Sequence, residues 1–499
     1  MARVVVVGAG MGGMAAAARL AVKRHQVTVV EQAATYGGKL GSFERDGFVF
    51  DTGPSLLTIP AVYRDLFNKT GGPLEGAVGE LVDLDPAFGY RFPDGVTVDM
   101  PGVDPGVCAH VLGQALGGTA EADWRAFMAR AASIWQVTRR PFLEAPLTGA
   151  RDLLPLARNL GDVRTVAPFT SLRGLARHYL SDPRLRMLVD RYATYTGSDP
   201  RRAPAALATV PYVEQMFGAY HVAGGIRKLA DALYERTLER GVAYRFSADV
   251  AEVLTTDAGV TGVRLGDGEV LEADVVVANA DATHLYRDLL HDPRGAEPLK
   301  RLRRTTPSLS GFVLLLAVKG RTPGLRHHNV WFTGDYDAEF DSIFGRDAKP
   351  VHDPTIYVCA PDDDAMRPDA DHESWFVLVN APRHGTTGER GTVDWTAPGL
   401  AEPYRDRVLQ VMADRGYDVR DRLLWSEVRT PADLEAGTRA PGGSIYGTSS
   451  NGARAAFLRP ANASPVPGLY LVGGSSHPGG GLPLVGMSAE IVADLIGRA

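Results

Sequence analysis

Two stretches of this chain are poor in side chains where chemistry would need bare backbone. Near the start, Gly8-Ala9-Gly10-Met11-Gly12-Gly13 satisfies G-x-G-x-x-G. Near the end, Gly473-Gly474-Ser475-Ser476-His477-Pro478-Gly479-Gly480-Gly481-Leu482-Pro483 is a second glycine-rich turn. Backbone without Cβ atoms lets a phosphate or a planar ring come close. A helix that begins at such a turn aims free N–H groups and a partial positive charge at the ligand. Glu31, about twenty residues past the first turn, is an acid placed to accept hydrogen bonds from a ribose.

The neighbouring elements have the order such a site needs. Val4 to Val7 is an apolar, β-branched run typical of a strand buried on both faces. An alanine-rich helix is predicted over Met14 to Val22 and a second strand over Gln26 to Val30, ending at Glu31 and Gln32. Gly8 permits the tight turn, Gly10 and Gly12 let backbone approach a pyrophosphate beside Met11, and Gly13 lets helix and strand pack closely. At the other end Leu469 to Val472 reads as a strand and Leu484 to Ile496 as a helix, with the second turn between them. Together they predict a dinucleotide site shared by both ends of the chain.

The segment after Glu31 separates flavin from nicotinamide. A nicotinamide dehydrogenase would return to another helix and parallel strand. Here come Gly37-Gly38-Lys39, two short strand-like pieces and Asp51-Thr52-Gly53-Pro54-Ser55. The order resembles extended FAD-binding proteins of the amine-oxidase and glutathione-reductase type. The resemblance implies that Lys39, Gly53, Pro54 and Ser55 lie along the flavin, and that Val250 offers a backbone contact to the adenine.

Residues 85 to 100 predict two strands around Pro93-Asp94-Gly95. Residues 120 to 180 read as helices. Val242 to Phe246 and Asp274 to Ala278 can add parallel strands to the first sheet, and 300 to 440 mixes strands with a helix near Tyr404 to Arg415. The expected fold is therefore α/β: a Rossmann-like FAD-binding domain assembled from 1–85, 218–300 and 440–499, with an inserted substrate domain of mixed sheet and helices. That domain takes 86–217 and 301–439, and 120–200 is its helical region.

Composition narrows the class. Apolar residues make up 45% and charged residues 22%, ordinary for a globular protein, and the net charge of −6 speaks against a nucleic-acid binder. Cys108 and Cys359 cannot build a disulfide framework or a zinc site, so a reducing compartment is expected and no metal is assigned. No export signal is recognisable after Met1. No charge falls between Arg459 and Glu490, but prolines and glycines interrupt that stretch too often for a lipid-facing helix. Between 139 and 177, Arg139, Arg140, Arg151, Arg158, Arg164, Arg173 and Arg177 face only Glu144, Asp152 and Asp162, with Phe142 and Phe169 interleaved. That is either a membrane-surface patch or an arginine-studded solvent face.

With these residues in view, the chain is similar to the bacterial phytoene desaturase family of carotenoid dehydrogenases. The likeness runs from VVVVGAGMGGMAAAARLA, YGGKLGSF and FDTGPS to YLVGGSSHPGGGLPLVGMSAEIVADLI. It includes His327 to Phe344 and Gly443 to Asn462. PTIYVCAP, SWFVLVNAP and GGSSHPGGGLPL resemble the branch that inserts 3,4-double bonds into acyclic, often 1-hydroxylated, carotenoids. The resemblance implies oxidation of C–C to C=C in an apolar polyene, with a hydride equivalent passing to FAD and a proton lost from the neighbouring carbon. Oxygen or a quinone would reoxidise the flavin, and the protein would sit peripherally on the inner face of the cell membrane.

His477 and Arg191 are the candidate catalytic side chains. His477 either shuttles a proton or orders its loop. Arg191, with Tyr192 and Asp199, either lines the substrate tunnel or serves a helix-end salt bridge. Trp331 and Phe332 either stack along a polyene or pack in the core. Early-pathway phytoene desaturation, carotenoid cis–trans isomerisation and non-catalytic prenyl binding of the escort-protein kind stay open as alternatives.

Overall fold

The computed structural model describes residues 1–147, 159–452, 455 and 459–499. At its centre is a parallel five-stranded sheet in the order Leu469–Leu471, Val275–Ala278, Arg3–Val7, Gln26–Val30, Ala243–Arg245. The valines of the first strand are buried, with Val6 at zero exposure, as a strand covered on both faces requires. The helix behind it starts at Met11, one turn earlier than the sequence suggests, and runs to Val22. Gly12 and Gly13 therefore lie inside its first turn, where helix N–H groups have no intrahelical partner and glycine weakens the helix least. Ala15 to Ala18 are fully buried because this helix is wedged between the C-terminal helix Leu482–Ile496 and helix Arg227–Glu239. The C-terminal helix also begins earlier than predicted, at Leu482, with Pro483 in its first turn, where proline's missing N–H costs nothing.

Ser42–Arg45 and Phe48–Asp51 form an antiparallel hairpin whose turn residues Asp46 and Gly47 both have positive φ, the geometry of the tightest hairpins. Phe48 and Phe50 bury against the larger sheet, so the hairpin is not a free surface ribbon. That sheet has seven strands, in the order Leu423–Arg429, Ser310–Lys319, His372–Ala381, Ile356–Cys359, His328–Trp331, Phe88–Arg91, Thr97–Met100. Helices Ala120–Thr138, Leu172–Tyr179, Pro183–Thr194 and Thr209–Phe217 pack on it. Their Trp124, Phe127 and Leu188 share one core with Phe88, Tyr90 and Val330. Each such side chain contributes about 2–3 kcal/mol by leaving water.

In this region one alternative left open by the sequence is decided and one expectation is corrected. Trp331 and Phe332 belong to the core: Trp331 stacks on Tyr417 with ring centroids 4.1 Å apart, and Phe332 on Phe92 at 5.1 Å. Arg173 is not part of a surface patch. It is buried and ion-paired with Asp190 at 2.8 Å and with Asp337. Arg139, Arg140, Arg164 and Arg177 are exposed, and Phe169 is 93% exposed. Arg151, Asp152 and Arg158 lie outside the described residues. Among the described residues no helix is long and apolar enough to cross a membrane.

Candidate functional site

The two glycine turns meet. The first strand ends at Gly8, whose φ of 100° only glycine takes without strain. Gly37 N–H donates to Ala9 O at 2.9 Å, so the Gly37-Gly38-Lys39 turn rests directly on the first turn. Beneath lies Asn279, which sequence reasoning missed. Its Nδ2 donates to Val472 O at 3.0 Å and ties the end of the Val275–Ala278 strand to the last strand. A Cβ at Gly10 would lie 2.7 Å from the Asn279 side chain, at Gly12 2.8 Å and at Gly473 2.4 Å. The glycines are small partly to make room for this amide. The available signal was its place at the C-terminal end of a buried parallel strand, where ligands of open α/β sheets bind.

Gly8, Gly10, Met11 and Gly12 line a cavity of about 760 Å³. Gly13 does not line it; a Cβ there would sit 2.1 Å from Gly8 O, so this glycine is required by helix–strand contact. Glu31 lines the cavity with a carboxylate fixed by Ala9 N–H at 2.7 Å and Ala33 N–H at 2.9 Å, one donor on each oxygen. Lone pairs remain on both. No side chain caps the helix at Gly10 or at Gly481, and both N-termini open on the cavity.

The other predicted cofactor residues, Gln32, Lys39, Gly53, Pro54, Ser55, Val250, Gly473, Gly474, Gly481, Leu482 and Pro483, all line the same cavity. Lys39 is buried and spends Nζ on the carbonyls of Ser444 at 3.1 Å and Ile445 at 2.7 Å, which clips the N-terminal hairpin to the C-terminal segment. Burial lowers its pKa. Gly53 is fixed by approach to Lys39 O, 1.7 Å from an added Cβ. Ser55 Oγ shares a 2.7 Å hydrogen bond with Tyr357 OH, which reaches on to His328 Nδ1 at 2.8 Å. Behind that contact His327, His328 and Cys359 bring possible ligand atoms within 4.8 Å of one another, because the antiparallel strands set His328 opposite Cys359.

His477 lines the cavity but is 4% exposed, with Nε2–H donating to Ala145 O at 2.9 Å. Burial lowers its pKa, so the ring is neutral at pH 7. Its backbone carbonyl accepts from Asn462 Nδ2 at 2.8 Å, and its N–H donates to Pro460 O. These are the bonds of a residue that shapes its loop.

Between Arg191 and Asp199 only some residues reach the cavity. Arg191, Thr194, Tyr195 and Thr196 line it. Tyr192 is core, its hydroxyl donating to Glu214 at 2.5 Å. Asp199 is taken up in a 2.8 Å ion pair with Arg201. The rest of the lining is largely apolar, with Trp135, Leu147, Val210, Val313, Phe376 and Leu378 among it. The cavity thus joins a polar cradle at the glycine turns to an apolar chamber.

This arrangement suits FAD: uncapped helix N-termini for the pyrophosphate, an oriented carboxylate for a ribose, and bare backbone at Gly474 and at Gly479 to Gly481 for a flat ring. It defines the class of flavin-dependent oxidoreductases with the amine-oxidase fold. The profile of the flavin-containing amine oxidoreductase family matches residues 11–374. A 4,4'-diapolycopene oxygenase of Methylomonas sp is 33% identical over 99% of this chain and 98% of its own length. A hydroxyneurosporene desaturase of Rubrivivax gelatinosus is 35% identical over 99% and 93%. A putrescine oxidase structure with bound putrescine superposes with TM-score 0.66 over 99% of each chain at 15% identity, a likeness of fold. The chain belongs to the flavin-containing amine oxidoreductase family, in its branch of carotenoid desaturases and oxygenases.

Proposed function

We propose that this enzyme desaturates an acyclic carotenoid, introducing the 3,4-double bond into a chain hydroxylated at C1. The observation that supports the reading is the single cavity in which the glycine cradle opens on an apolar chamber. When bound, FAD supplies the two-electron oxidation; the side chains have to position an apolar chain and keep water out. Glu31 and the two helix N-termini hold the nucleotide, Lys39 and Gly53 fix the wall along the flavin, and Val313, Phe376 and Leu378 enclose the polyene. His477, neutral and bonded to Ala145, keeps the 473–483 loop in shape.

The test is the absorption spectrum of pigment extracted after FAD-loaded protein in liposomes has met defined substrates. A shift to longer wavelength with a 1-hydroxylated acyclic carotenoid is expected. Colour appearing from colourless phytoene would place the enzyme at the early step instead. An unshifted spectrum with a mass gain of oxygen would favour oxygenation, and no change of mass or conjugation would leave isomerisation.

The substrate also bears on location. Trp135, Phe142, Leu143, Leu147, Val166 and Pro168 line the cavity, and the same stretch of chain carries exposed Phe169 with Arg139, Arg140, Arg164 and Arg177. A carotenoid dissolved in lipid enters most directly where this face rests on the inner leaflet of the cell membrane, basic side chains on anionic headgroups. The protein is expected to float with anionic vesicles, and Phe169→Asp is expected to reduce the floating fraction several-fold. Wild-type protein left wholly in the soluble fraction would rule out entry from the membrane by this face.

A further inference from the structure

Four arginines are buried among the described residues, and three of them have carboxylate partners: Arg19 with Asp65, Arg173 with Asp190, Arg236 with Glu239. Arg191 has none in ion-pair range among the described residues. It stands near the end of helix Pro183–Thr194, 5% exposed, and lines the apolar chamber. The buried acid whose charge acts on it, Glu214, spends its oxygens on Tyr192 OH at 2.5 Å and Tyr195 OH at 3.0 Å. Instead of an anion, Arg191 has rings. Its guanidinium carbon is 4.9 Å from the Phe88 and Tyr195 ring centres and 5.6 Å from those of Tyr90 and Tyr192. The one hydrogen bond its side chain makes among the described residues is a long one, 3.4 Å to Tyr90 OH.

A guanidinium has five N–H donors and cannot shed its charge at any working pH. Aromatic faces offset part of the cost of burying it, but they satisfy no donor. Donors left over beside a largely apolar chamber carry a penalty that a ligand oxygen would remove. A pure hydrocarbon polyene offers no acceptor at all. On C1 of a hydroxylated chain the oxygen lies only a few bonds from C3, so it would be held close to the reacting carbons.

We propose that Arg191, framed by Tyr90 and Tyr195, is the subsite for an acceptor oxygen, hydroxyl or carbonyl, on the end of the polyene. It thereby selects oxygenated chains over their parent hydrocarbons. This rests on the carotenoid reading and names the feature of the substrate that the site recognises. A site that hydrogen-bonds a substrate oxygen rejects the chain lacking it far more strongly than an apolar pocket rejects an added group.

Binding is read from the change in the polyene's own visible absorption, for three chains of equal length: the hydrocarbon, its 1-hydroxylated form and an aldehyde-ended form. Wild-type protein is expected to bind at least one oxygenated chain about 10–100-fold more tightly than the hydrocarbon. In Arg191→Met that ratio is expected to fall to within about threefold of one, and Arg191→Lys to restore part of it. FAD content and the flavin spectrum of each variant report folding and any contact to the flavin. A ratio preserved while all affinities fall together would overturn the proposal in favour of a structural role. A displaced flavin spectrum with the ratio unchanged would overturn it too, since the acceptor would then be the flavin. Wild-type protein that binds all three chains equally tightly refutes the selectivity while sparing the carotenoid reading. Binding of none refutes both.

Discussion

Gly13→Ala is expected to purify without FAD and to lose about 2–3 kcal/mol of stability. The added Cβ would stand 2.1 Å from Gly8 O, a backbone atom at the turn itself, and 3.2 Å from the Asn279 side chain. Relief needs the helix Met11–Val22 to move bodily away from the first strand. Its other faces allow no such movement: Ala15 to Ala18 have zero exposure, and the C-terminal helix and helix Arg227–Glu239 hold it from both sides. Moving the helix would carry its uncapped N-terminus off the pyrophosphate and push Gly12 away from Gly473, so both halves of the cradle fail together. Gly334→Ala is the control, because nothing stands within 4 Å of an added Cβ and its φ is ordinary. Flavin absorbance per protein and the thermal midpoint measure the outcome. Stoichiometric FAD in the Gly13 variant would mean that the turn tolerates a side chain and that the close packing is not what the cradle depends on.

That glycine was legible in the sequence because the reason for it is local: a turn, a helix and a strand meeting within a few residues leave only glycine room. The same holds for the hairpin after Glu31 and for the C-terminal strand, turn and helix, where composition and order carry the geometry. Asn279 was hidden because its role exists only when strands from opposite ends of the chain lie beside its own. Asn at a strand end otherwise reads as a turn residue. Arg173 was misread for a related reason. One partner, Asp190, is on another helix and the other, Asp337, is in a different part of the chain, so one arginine of a run is drawn into the core while Arg139, Arg140, Arg164 and Arg177 stay exposed. Arg191 was legible as a candidate but not as an exception, since only the pairing of the other buried arginines shows that it lacks a carboxylate among the described residues.

Replacing Glu339 with glutamine is expected to stabilise the protein at pH 8 relative to pH 5. Glu339 sits on helix Tyr336–Phe344 with zero exposure. Its Oε2 accepts from Thr355 N–H at 2.7 Å and its Oε1 from Asn380 Nδ2 at 3.0 Å. Arg415, the cation that acts on it, is paired with Asp353 at 2.5 Å. Burial therefore outweighs the two hydrogen bonds and raises its pKa from 4.5 to about 7. With the folded value above the unfolded one, the native state holds the proton through that window. The favourable contribution is complete below about pH 4.5 and is lost as pH rises through 7, a swing of about 3 kcal/mol. Glutamine has no charge to bury, and Asn380 can turn its amide to accept from the new NH2 while Thr355 keeps an acceptor. The difference in unfolding free energy between variant and wild type should thus grow by about 2–3 kcal/mol from pH 5 to pH 8, with other titrating groups cancelling in the comparison. Thr355 and Asn380 line the cavity, so this carboxyl stands directly behind its wall. Denaturant midpoints at the two pH values decide it: a difference that stays constant would mean that Glu339 is ionised in the folded protein at pH 5.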